Sequence, residues 1–285
     1  IVIDAIKSCL EQTIPPNEII IVDDNSSNDE LIKLKSNIKL LSNNTIKVIE
    51  LKKNNGPSHC RNHGVNSSNF NVIFFLDTDD LWLDNKIEKH LQLYKISSVD
   101  SIYDNQFYIN ENNIKSTINF DMIDDNFINA LFNGWGPPNL SSLSIRKDIF
   151  IKLGGLDPNL RFSEDQDLFI NFDLYKVNLS TILDRLTFFR NIATDRVSYD
   201  TQKRITGTLK FLSKWESLFK CRYGKSKYLN YKNNYISNFV HVLALYELKK
   251  FNLIIFLSIF CKFLLFNKYF YIKFFNKIYK KIFSK

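Results

Sequence analysis

Three short apolar runs, separated by stretches of helical periodicity, constrain the fold of this chain more than any other feature. Residues 18–23, 46–51 and 71–76 have the hydrophobic character of buried parallel strands. Helical patterns cover residues 28–41 and begin again at Pro57. Because strand and helix alternate with short connections, we predict an α/β fold with a doubly wound, mostly parallel sheet flanked by helices.

The order of the predicted elements indicates where the α/β domain begins and ends. Residues 1–12 have a helical pattern, whereas a parallel α/β domain usually opens with its innermost strand. We therefore expect that the first strand is missing from this sequence. From Thr201 onward the chain reads as helical to its end, which predicts one α/β domain over 1–200 and a helical region over 201–285. Between them lie further predicted strands at 101–109 and 140–145 and predicted helices at 125–133 and 164–176.

Charge and cysteine usage restrict the partners and the compartment. The four cysteines form no Cys-x-x-Cys pair, which favours a reducing, cytoplasmic environment. The nine lysines of residues 249–285 exceed the net charge of +8, so residues 1–248 sum to about −1. A nucleic-acid binder usually spreads its basic residues over a folded face. A basic, aromatic tail instead indicates an anionic membrane surface and a peripheral position on the inner face of the cell membrane.

The tail itself allows three structures. Phe251–Phe266 is nearly all apolar but is interrupted by Asn252 and Lys262, and it falls short of the ~20 residues of a spanning helix. Lysines on one side of the following helical wheel favour a helix that lies in the plane of the interface. A helix packed on the α/β domain and a single-pass anchor stay open as alternatives.

Acidic residues follow two of the predicted strands directly. Asp23 and Asp24 end the first apolar run, and Asp77, Asp79 and Asp80 end the third. Ligands of open parallel sheets bind at this carboxyl edge. Gathered like charges repel unless a cation or a donor group offsets them, and Mg²⁺ and Mn²⁺ prefer such oxygen ligands. The pattern predicts a divalent cation site, with ordinary solvated acids as the alternative.

Five landmarks in order resemble family 2 glycosyltransferases of the GT-A fold, over residues 1 to about 190. They are Gln12-Thr13, Ile21-Val-Asp-Asp-Asn-Ser-Ser-Asn-Asp29, Asn55-Gly-Pro-Ser-His-Cys-Arg-Asn-His-Gly64, Phe75-Leu-Asp-Thr-Asp-Asp80, and Gly154-Gly-Leu-Asp157 followed by Ser163-Glu-Asp-Gln-Asp-Leu168. The resemblance implies an inverting transferase that uses a nucleotide-sugar donor, a UDP-sugar, and Mn²⁺ or Mg²⁺. The expected acceptor is a glycan or lipid-linked molecule of the cell surface, as in lipopolysaccharide or capsule synthesis.

The resemblance also implies donor-binding roles for matching residues. Asp24 matches the acid that hydrogen-bonds the uracil ring, and we place its neighbour Asp23 with the donor-binding residues. Arg61 matches the arginine near the nucleotide. Asp77 and Asp79 match the Asp-x-Asp pair that contacts ribose and metal. The expected missing strand would have held a further nucleotide contact.

The implied metal ligands are Asp79 and Asp80, and the implied catalytic residues are Asp165, as the base, and Glu164 beside it. No Gln-x-x-Arg-Trp motif follows Asp165, which argues against a processive polysaccharide synthase. The alternative for this acidic pair is the start of a helix, where acids favour the helix dipole.

Two other functions stay open from the sequence. A phosphohydrolase of the haloacid dehalogenase class also has an Asp-x-Asp strand end, but there the strand normally opens the domain. A catalytically silent sugar-nucleotide binder or assembly protein is the second alternative.

Four remaining features have less specific interpretations. His59 and His63 lie four residues apart on one predicted helix face, without a further ligand nearby. The segment 133–139, which contains Trp135, is either the border of an acceptor pocket or a packing element. Asp104 and Asp157 are expected to serve turns.

Overall fold

The computed structural model describes residues 1–110, 115–118, 126–133, 136–191 and 201–236. The chain divides into two compact units, Ile1–Arg196 and Val197–Lys285. The assignment of the first as a catalytic domain and of the second as a membrane-associating region stays a prediction.

Helices and strands alternate through the first half of the first unit. The helices are α1 (Val2–Leu10), α2 (Asn28–Leu40), α3 (Pro57–Ser67), α4 (Lys86–Ile96), α5 (Phe127–Phe132), α6 (Lys147–Lys152) and α7 (Glu164–Tyr175), with a 3-10 turn at Leu140–Ser142. The strands are β1 (Ile19–Asp23), β2 (Ile46–Glu50), β3 (Val72–Phe74), β4 (Leu81–Trp82), β5 (Ser101–Asn110), β6 (Lys115–Ile118), β7 (Leu143–Arg146) and β8 (Leu179–Asn191).

The strands form two sheets. β1 and β2 pair in parallel, with Ile21 opposite Val48. The larger sheet has the order β3-β7-β5-β8-β4, and β6 pairs with β5 at its outer end. Within it, β5 and β8 are parallel, whereas the β3–β7, β7–β5, β8–β4 and β5–β6 pairs are antiparallel.

The α/β class is confirmed, but less of the pairing is parallel than expected. After β3 the chain no longer repeats strand–helix–strand units: β7 returns antiparallel to β3, with Ile73 opposite Ile145. This return brings the start of β7 beside the end of β3, and Phe75 N donates to Leu143 O at 3.4 Å. The strand end with the acidic residues therefore faces the 3-10 turn that precedes β7.

Local chemistry explains most of the predicted elements. Ser27 caps α2 through a capping box with Glu30, and Pro57 occupies the first turn of α3. Five elements have no counterpart in the sequence-based prediction: α4, α6, β4, β6 and the 13-residue β8. In β8 polar residues such as Arg185 and Thr187 interrupt the apolar pattern, because Thr187 lies in a buried polar network described below.

The core of the first unit lies between the larger sheet and the helices α5, α6 and α7. It is formed by aromatic and aliphatic side chains, among them Phe75, Tyr103, Leu143, Phe150 and Phe169. β1, in contrast, is only partly covered: four of its five residues are of intermediate exposure, although its apolar run predicted a fully buried strand.

The second unit contains α8 (Thr201–Tyr223) and a helix over 225–236. Gly224 joins them in a left-handed conformation, with φ at +83°. Aromatic side chains close the hairpin, and the Phe219 ring lies 5.4 Å from that of Tyr231. Over the ranges that the structure describes, no helix combines the length and the apolar character needed to cross a membrane. The predicted tail helix at 249–285 lies outside the described residues.

Candidate active site

Arg61 joins two acidic motifs of the chain, the acids after β3 and the acidic pair that begins α7. Its Nη1 donates to Glu164 Oε1 at 2.9 Å, and its Nη2 forms a short ion pair with Asp77. Arg61 comes from α3, Asp77 follows β3, and Glu164 begins α7, so three separate elements meet at one guanidinium. Burial lowers the pKa of Arg61, but the two carboxylates outweigh this effect and raise it, so the group stays charged.

Two further contacts fix α3 against the loop that leads to Glu164. Ser58 Oγ donates to Leu160 O at 3.0 Å. The Asn62 side chain donates to Leu156 O at 2.7 Å and accepts from Leu156 N at 2.9 Å. A Cβ on Gly155 would lie 2.7 Å from Asn62 Oδ1, and its φ is +71°, so this position needs glycine. The Gly-Gly-Leu-Asp landmark therefore lets the loop approach α3 closely.

The acids after β3 form a compact cluster. One carboxylate oxygen from each of Asp77, Asp79 and Asp80 lies within 4.8 Å of the others. Asp77 and Asp79 are partly exposed, whereas Asp80 is fully buried. Burial and the negative charge of Asp77, with a smaller effect from Asp79, raise the pKa of Asp80 to about 7.

These three carboxylates fit a Mn²⁺ or Mg²⁺ ion. Both cations take hard oxygen ligands, and the partly exposed Asp77 and Asp79 leave an approach from solvent. A cation would also offset the like charges that raise the pKa of Asp80. The ligand role that the resemblance implied for Asp79 and Asp80 stays a prediction.

Asp165 lies beside the Arg61 junction, at the start of α7. Ser163, the residue before the acidic pair, is buried and has a left-handed backbone, with φ at +66°. Such a conformation is uncommon for a residue with a side chain, and it orients the start of α7. Burial and the neighbouring Glu164 raise the pKa of Asp165 to about 7. A carboxyl of this kind can exchange a proton near neutral pH, as a catalytic base requires.

Asp24 and Asp23 differ in their surroundings. The two oxygens of Asp24 accept from Asn55 N and Gly56 N, each at 2.8 Å, directly before α3. Asp23 instead stabilises the turn that follows β1, because its carboxylate accepts from Ser26 N at 3.1 Å. The Cys60 thiol hydrogen-bonds Asp24; burial, followed by the charge of Asp24, raises its pKa to about 12. Asp24 thus lies at the start of α3, the helix that carries Arg61, and the donor role of both acids stays a prediction.

A fully buried polar network lies behind the acidic cluster, and it corrects one prediction. Asp104 does not serve a turn: it lies inside β5, where it pairs with Lys86 and accepts from Thr187 Oγ1 at 2.8 Å. His90 Nε2 lies 3.1 Å from the same carboxylate. Burial and the charge of Lys86 lower the pKa of His90 to about 4, so this histidine is neutral at pH 7. Asp157, in contrast, does serve a turn, and accepts from Asn159 N at 2.9 Å.

Sequence patterns missed the residues that hold the acidic cluster from behind. Asn139 Nδ2 donates to Asp80 Oδ2 at 3.0 Å, and Arg190 N donates to Asp80 Oδ1 at 3.1 Å. Ser141 Oγ accepts from Asp77 N at 3.0 Å. These residues lie 59 to 110 positions from their partners in the sequence, and no local spacing indicates such a contact. The one available indication was the polar segment that ends at Asn139.

The two histidines that the sequence places on one helix face lie on α3. The rings of His59 and His63 lie 6.3 Å apart on α3, as their spacing predicts. No group of potential metal ligands that includes either histidine occurs in the described ranges. Trp135 lies outside the described residues.

Comparison with known proteins gives the same family as the landmarks. The model of the family described as glycosyl transferase family 2 matches residues 1–150. This range contains Arg61 and the whole acidic cluster, and it ends before Glu164.

Two relatives span different lengths of the chain. The chain is 32% identical over 114 residues to the Escherichia coli UDP-Glc:alpha-D-GlcNAc-diphosphoundecaprenol beta-1,3-glucosyltransferase WfgD, covering 39% of this chain and 42% of that protein. It is 27% identical over 189 residues to an uncharacterized glycosyltransferase of Haemophilus influenzae, covering 61% of this chain and 60% of that protein. The match thus spans about half the length of these curated relatives.

Solved structures share the fold. The crystal structure of residues 1–349 of S. aureus TarS in complex with UDP-GlcNAc matches with a TM-score of 0.56 at 14% identity. The match covers 85% of this chain and 77% of that one. At this identity the likeness shows the GT-A fold alone.

Proposed function

The chain belongs to glycosyl transferase family 2, and on that premise we propose that it transfers a sugar from a nucleotide-diphosphate donor, a UDP-sugar, to a hydroxyl group with inversion. The observation that carries this proposal is the Arg61 junction, which joins Asp77 of the acidic cluster to Glu164 at the start of α7. Donor-side and acceptor-side acids therefore share one guanidinium.

Asp165 is the proposed base. It removes the proton from the acceptor hydroxyl, and the oxygen attacks the anomeric carbon from the face opposite the diphosphate. The bond between that carbon and the diphosphate oxygen breaks, the nucleotide diphosphate leaves with the bond electrons, and the anomeric configuration inverts. The raised pKa of Asp165, about 7, supports this role because a base matched to the working pH is most effective.

Asp77 and Asp79 are proposed to face the ribose and the cation. Their partial exposure and their place at the end of β3 support this assignment. A Mn²⁺ or Mg²⁺ ion held there supplies positive charge that offsets the charge developing on the leaving diphosphate. Arg61 holds Asp77 in place, and Asp24 with Asp23 is assigned to the base end of the donor.

The donor and acceptor classes rest on relatives. WfgD is named for a UDP-Glc donor and a diphosphoundecaprenol-linked acceptor, and TarS was crystallised with UDP-GlcNAc. We therefore propose a UDP-sugar donor and a lipid-linked or growing cell-surface glycan as acceptor, in the synthesis of surface polysaccharide such as lipopolysaccharide or capsule.

A peripheral position on the cytoplasmic face of the membrane would suit such an acceptor. Residues 249–285 contain nine lysines and no acidic residue. Basic residues near an anionic surface contribute about 1 kcal/mol each. We expect the chain to sediment with vesicles that contain anionic lipid, and to lose this property when residues 249–285 are deleted. Unchanged sedimentation of the truncated chain would contradict the role of the tail.

Hydrolysis and transfer assays test the function. The protein is incubated with a panel of UDP-sugars and Mn²⁺, with EDTA as the metal-free control, and free UDP and inorganic phosphate are measured separately. Slow, Mn²⁺-dependent release of UDP from one donor, accelerated by a lipid-linked acceptor, supports the transferase. Release of inorganic phosphate would indicate a phosphohydrolase instead, and donor binding without turnover would indicate a silent binder.

A further inference from the structure

The three acids of the cluster differ in their access to solvent. The Asp77 side chain is 32% exposed and Asp79 is partly exposed, whereas Asp80 has 0% exposure. An ion that arrives from solvent therefore meets oxygens of Asp77 and Asp79 before it can reach Asp80.

Asp80 already accepts three hydrogen bonds. The donors are Asn139 Nδ2, Arg190 N and the Ser141 hydroxyl. An ionised carboxylate offers about four lone-pair positions, so three of them are filled by protein groups. Each donor comes from an element that packs behind the cluster, the 3-10 turn or β8.

The groups that hold Asp80 also hold the backbone of the two accessible acids. The Ser141 hydroxyl accepts from Asp77 N at 3.0 Å. Arg190 Nε donates to Asp79 O at 2.6 Å, while its backbone N–H serves Asp80. In addition, Asp80 N donates to Asp77 O at 3.0 Å and closes the turn. Asp80 is thus tied to both neighbours.

Ser141 is fixed in turn by the buried network. Its carbonyl accepts from Trp82 Nε1 at 2.8 Å, and Thr187 Oγ1, whose proton is donated to Asp104, lies 3.4 Å from it. Lys86 Nζ donates to Thr187 Oγ1 at 3.1 Å and pairs with Asp104. The interior ion pair therefore supports the turn that carries Ser141.

We propose that Asp80 is a positioning residue: it orients Asp77 and Asp79, which present the oxygens to the cation, and it does not itself bind the cation. This inference rests on the proposed function, since it assigns duties within the same site. It removes Asp80 from the metal contacts that the resemblance implied and leaves Asp77 and Asp79.

Mn²⁺ spectroscopy distinguishes a ligand from a positioning residue. Mn²⁺ is titrated into the protein with UDP present, and free Mn²⁺ is followed by EPR against a Mn²⁺–UDP blank. The number of Mn²⁺-bound waters is then measured by ¹⁷O ENDOR. The variants are Asp80→Asn, Ser141→Ala and Asp79→Asn, and Ser101→Ala is the matched control. Ser101 is also a fully buried serine, but its hydroxyl donates to Ser144 O, away from the cluster.

We expect Asp80→Asn and Ser141→Ala each to weaken Mn²⁺ binding about 10–100-fold, as loss of an outer-shell partner typically does. The number of bound waters stays that of the unmodified protein, because no ligand is lost. Asp79→Asn abolishes binding or adds a bound water, and Ser101→Ala leaves the affinity unchanged. Ser141→Ala retains Asp80 itself, so it carries the test if Asp80→Asn fails to fold.

An additional bound water in Asp80→Asn would overturn the inference, and so would unchanged affinity in Ser141→Ala. Absence of Mn²⁺ binding by the unmodified protein is a different failure. It would remove the cation from the proposed function, and this inference with it.

Discussion

Two fully buried acidic residues in the first unit, Asp104 and Asp80, lie in different electrostatic surroundings. Asp104 is paired with Lys86 in the interior, and both side chains are fully buried. Asp80 is just as buried, and it accepts from the Asn139 amide, the Ser141 hydroxyl and the Arg190 backbone N–H. Asp104 thus has a buried counter-ion, whereas burial and the negative charge of the partly exposed Asp77 and Asp79 raise the pKa of Asp80 to about 7.

The pKa values of the titratable groups also differ between the interior network and the candidate site. In the interior group, burial and Lys86 lower the pKa of His90 to about 4, so its charge is constant near neutral pH. In the site, burial and neighbouring acids raise the pKa of Asp80 and of Asp165 to about 7. Perturbed carboxyls that titrate near pH 7 are typical of functional sites, while the interior pair is typical of structure.

The strongest test of this contrast is Asp165→Asn. Loss of a general base typically costs about 10²–10⁴-fold in rate, and we expect that loss in transfer with little change in UDP affinity. Asp157→Asn is the matched control, since an asparagine still accepts from Asn159 N in the turn. Transfer rates and UDP titrations of both variants measure the effect. Turnover of Asp165→Asn equal to that of the unmodified protein would refute its role.

The interior pair is tested by Lys86→Met. Removing one partner of a buried ion pair leaves an uncompensated charge, and we expect a loss of about 3–5 kcal/mol in the free energy of unfolding. Lys89→Met is the control: its ion pair with Asp184, at 2.6 Å, lies at the surface and should contribute at most about 1 kcal/mol. Urea unfolding measures both. Equal stability of the two variants would show that the interior pair is not the structural support described above.

Arg61→Lys tests the junction between Asp77 and Glu164, the acids proposed to act on the donor side and the acceptor side. A lysine ammonium cannot present the two separate N–H groups that serve Asp77 and Glu164, so one acid loses its partner. We expect kcat/KM to fall about 10–100-fold with the fold retained, by analogy with other outer-shell changes. The control is Arg146→Lys, at the opposite end of β3. Retained activity in Arg61→Lys would mean that charge alone suffices.

The smallest effect concerns pH. If Asp165 is the base, the transfer rate rises about tenfold per pH unit below 7 and levels off above it. Stability moves in the opposite direction: the folded pKa, about 7, lies above the usual 3.8, so the protonated form favours folding. This contribution is full below about 3.8 and is lost as the pH rises to about 7. Unfolding curves of Asp165→Asn should therefore depend less on pH than those of the unmodified protein.

The sequence predicts what depends on local pattern. The apolar runs of β1, β2 and β3, the helical pattern of α2 and the Pro57 start of α3 are all set by neighbouring residues. The ordered landmarks likewise indicate the family. The burial of Asp104 and the formation of β8 depend on pairing between strands that are distant in the sequence, and no local pattern encodes this pairing.

The same limit applies to the site. Position after a strand was enough to single out Asp77, Asp79 and Asp80. Which of the three is accessible was not predictable, because it depends on Asn139 and Arg190, which approach from elements far along the chain. The sequence thus indicates the chemistry of the cluster, and tertiary packing determines which of its carboxylates are accessible to solvent.

The contacts of Arg61, Ser58 and Asn62 with residues 156–164, which lead into α7, have a consequence for recombination between related genes. Arg61 and Glu164 are 103 positions apart, and Ser58 and Asn62 reach partners at similar separations. A recombination event that exchanged only the part of the chain after α3 would combine α3 of one parent with residues 156–164 of another. Such a hybrid would retain the partners of Ser58 and Asn62, because these are main-chain groups, but it would retain the partner of Arg61 only if the second parent also supplied a carboxylate at position 164.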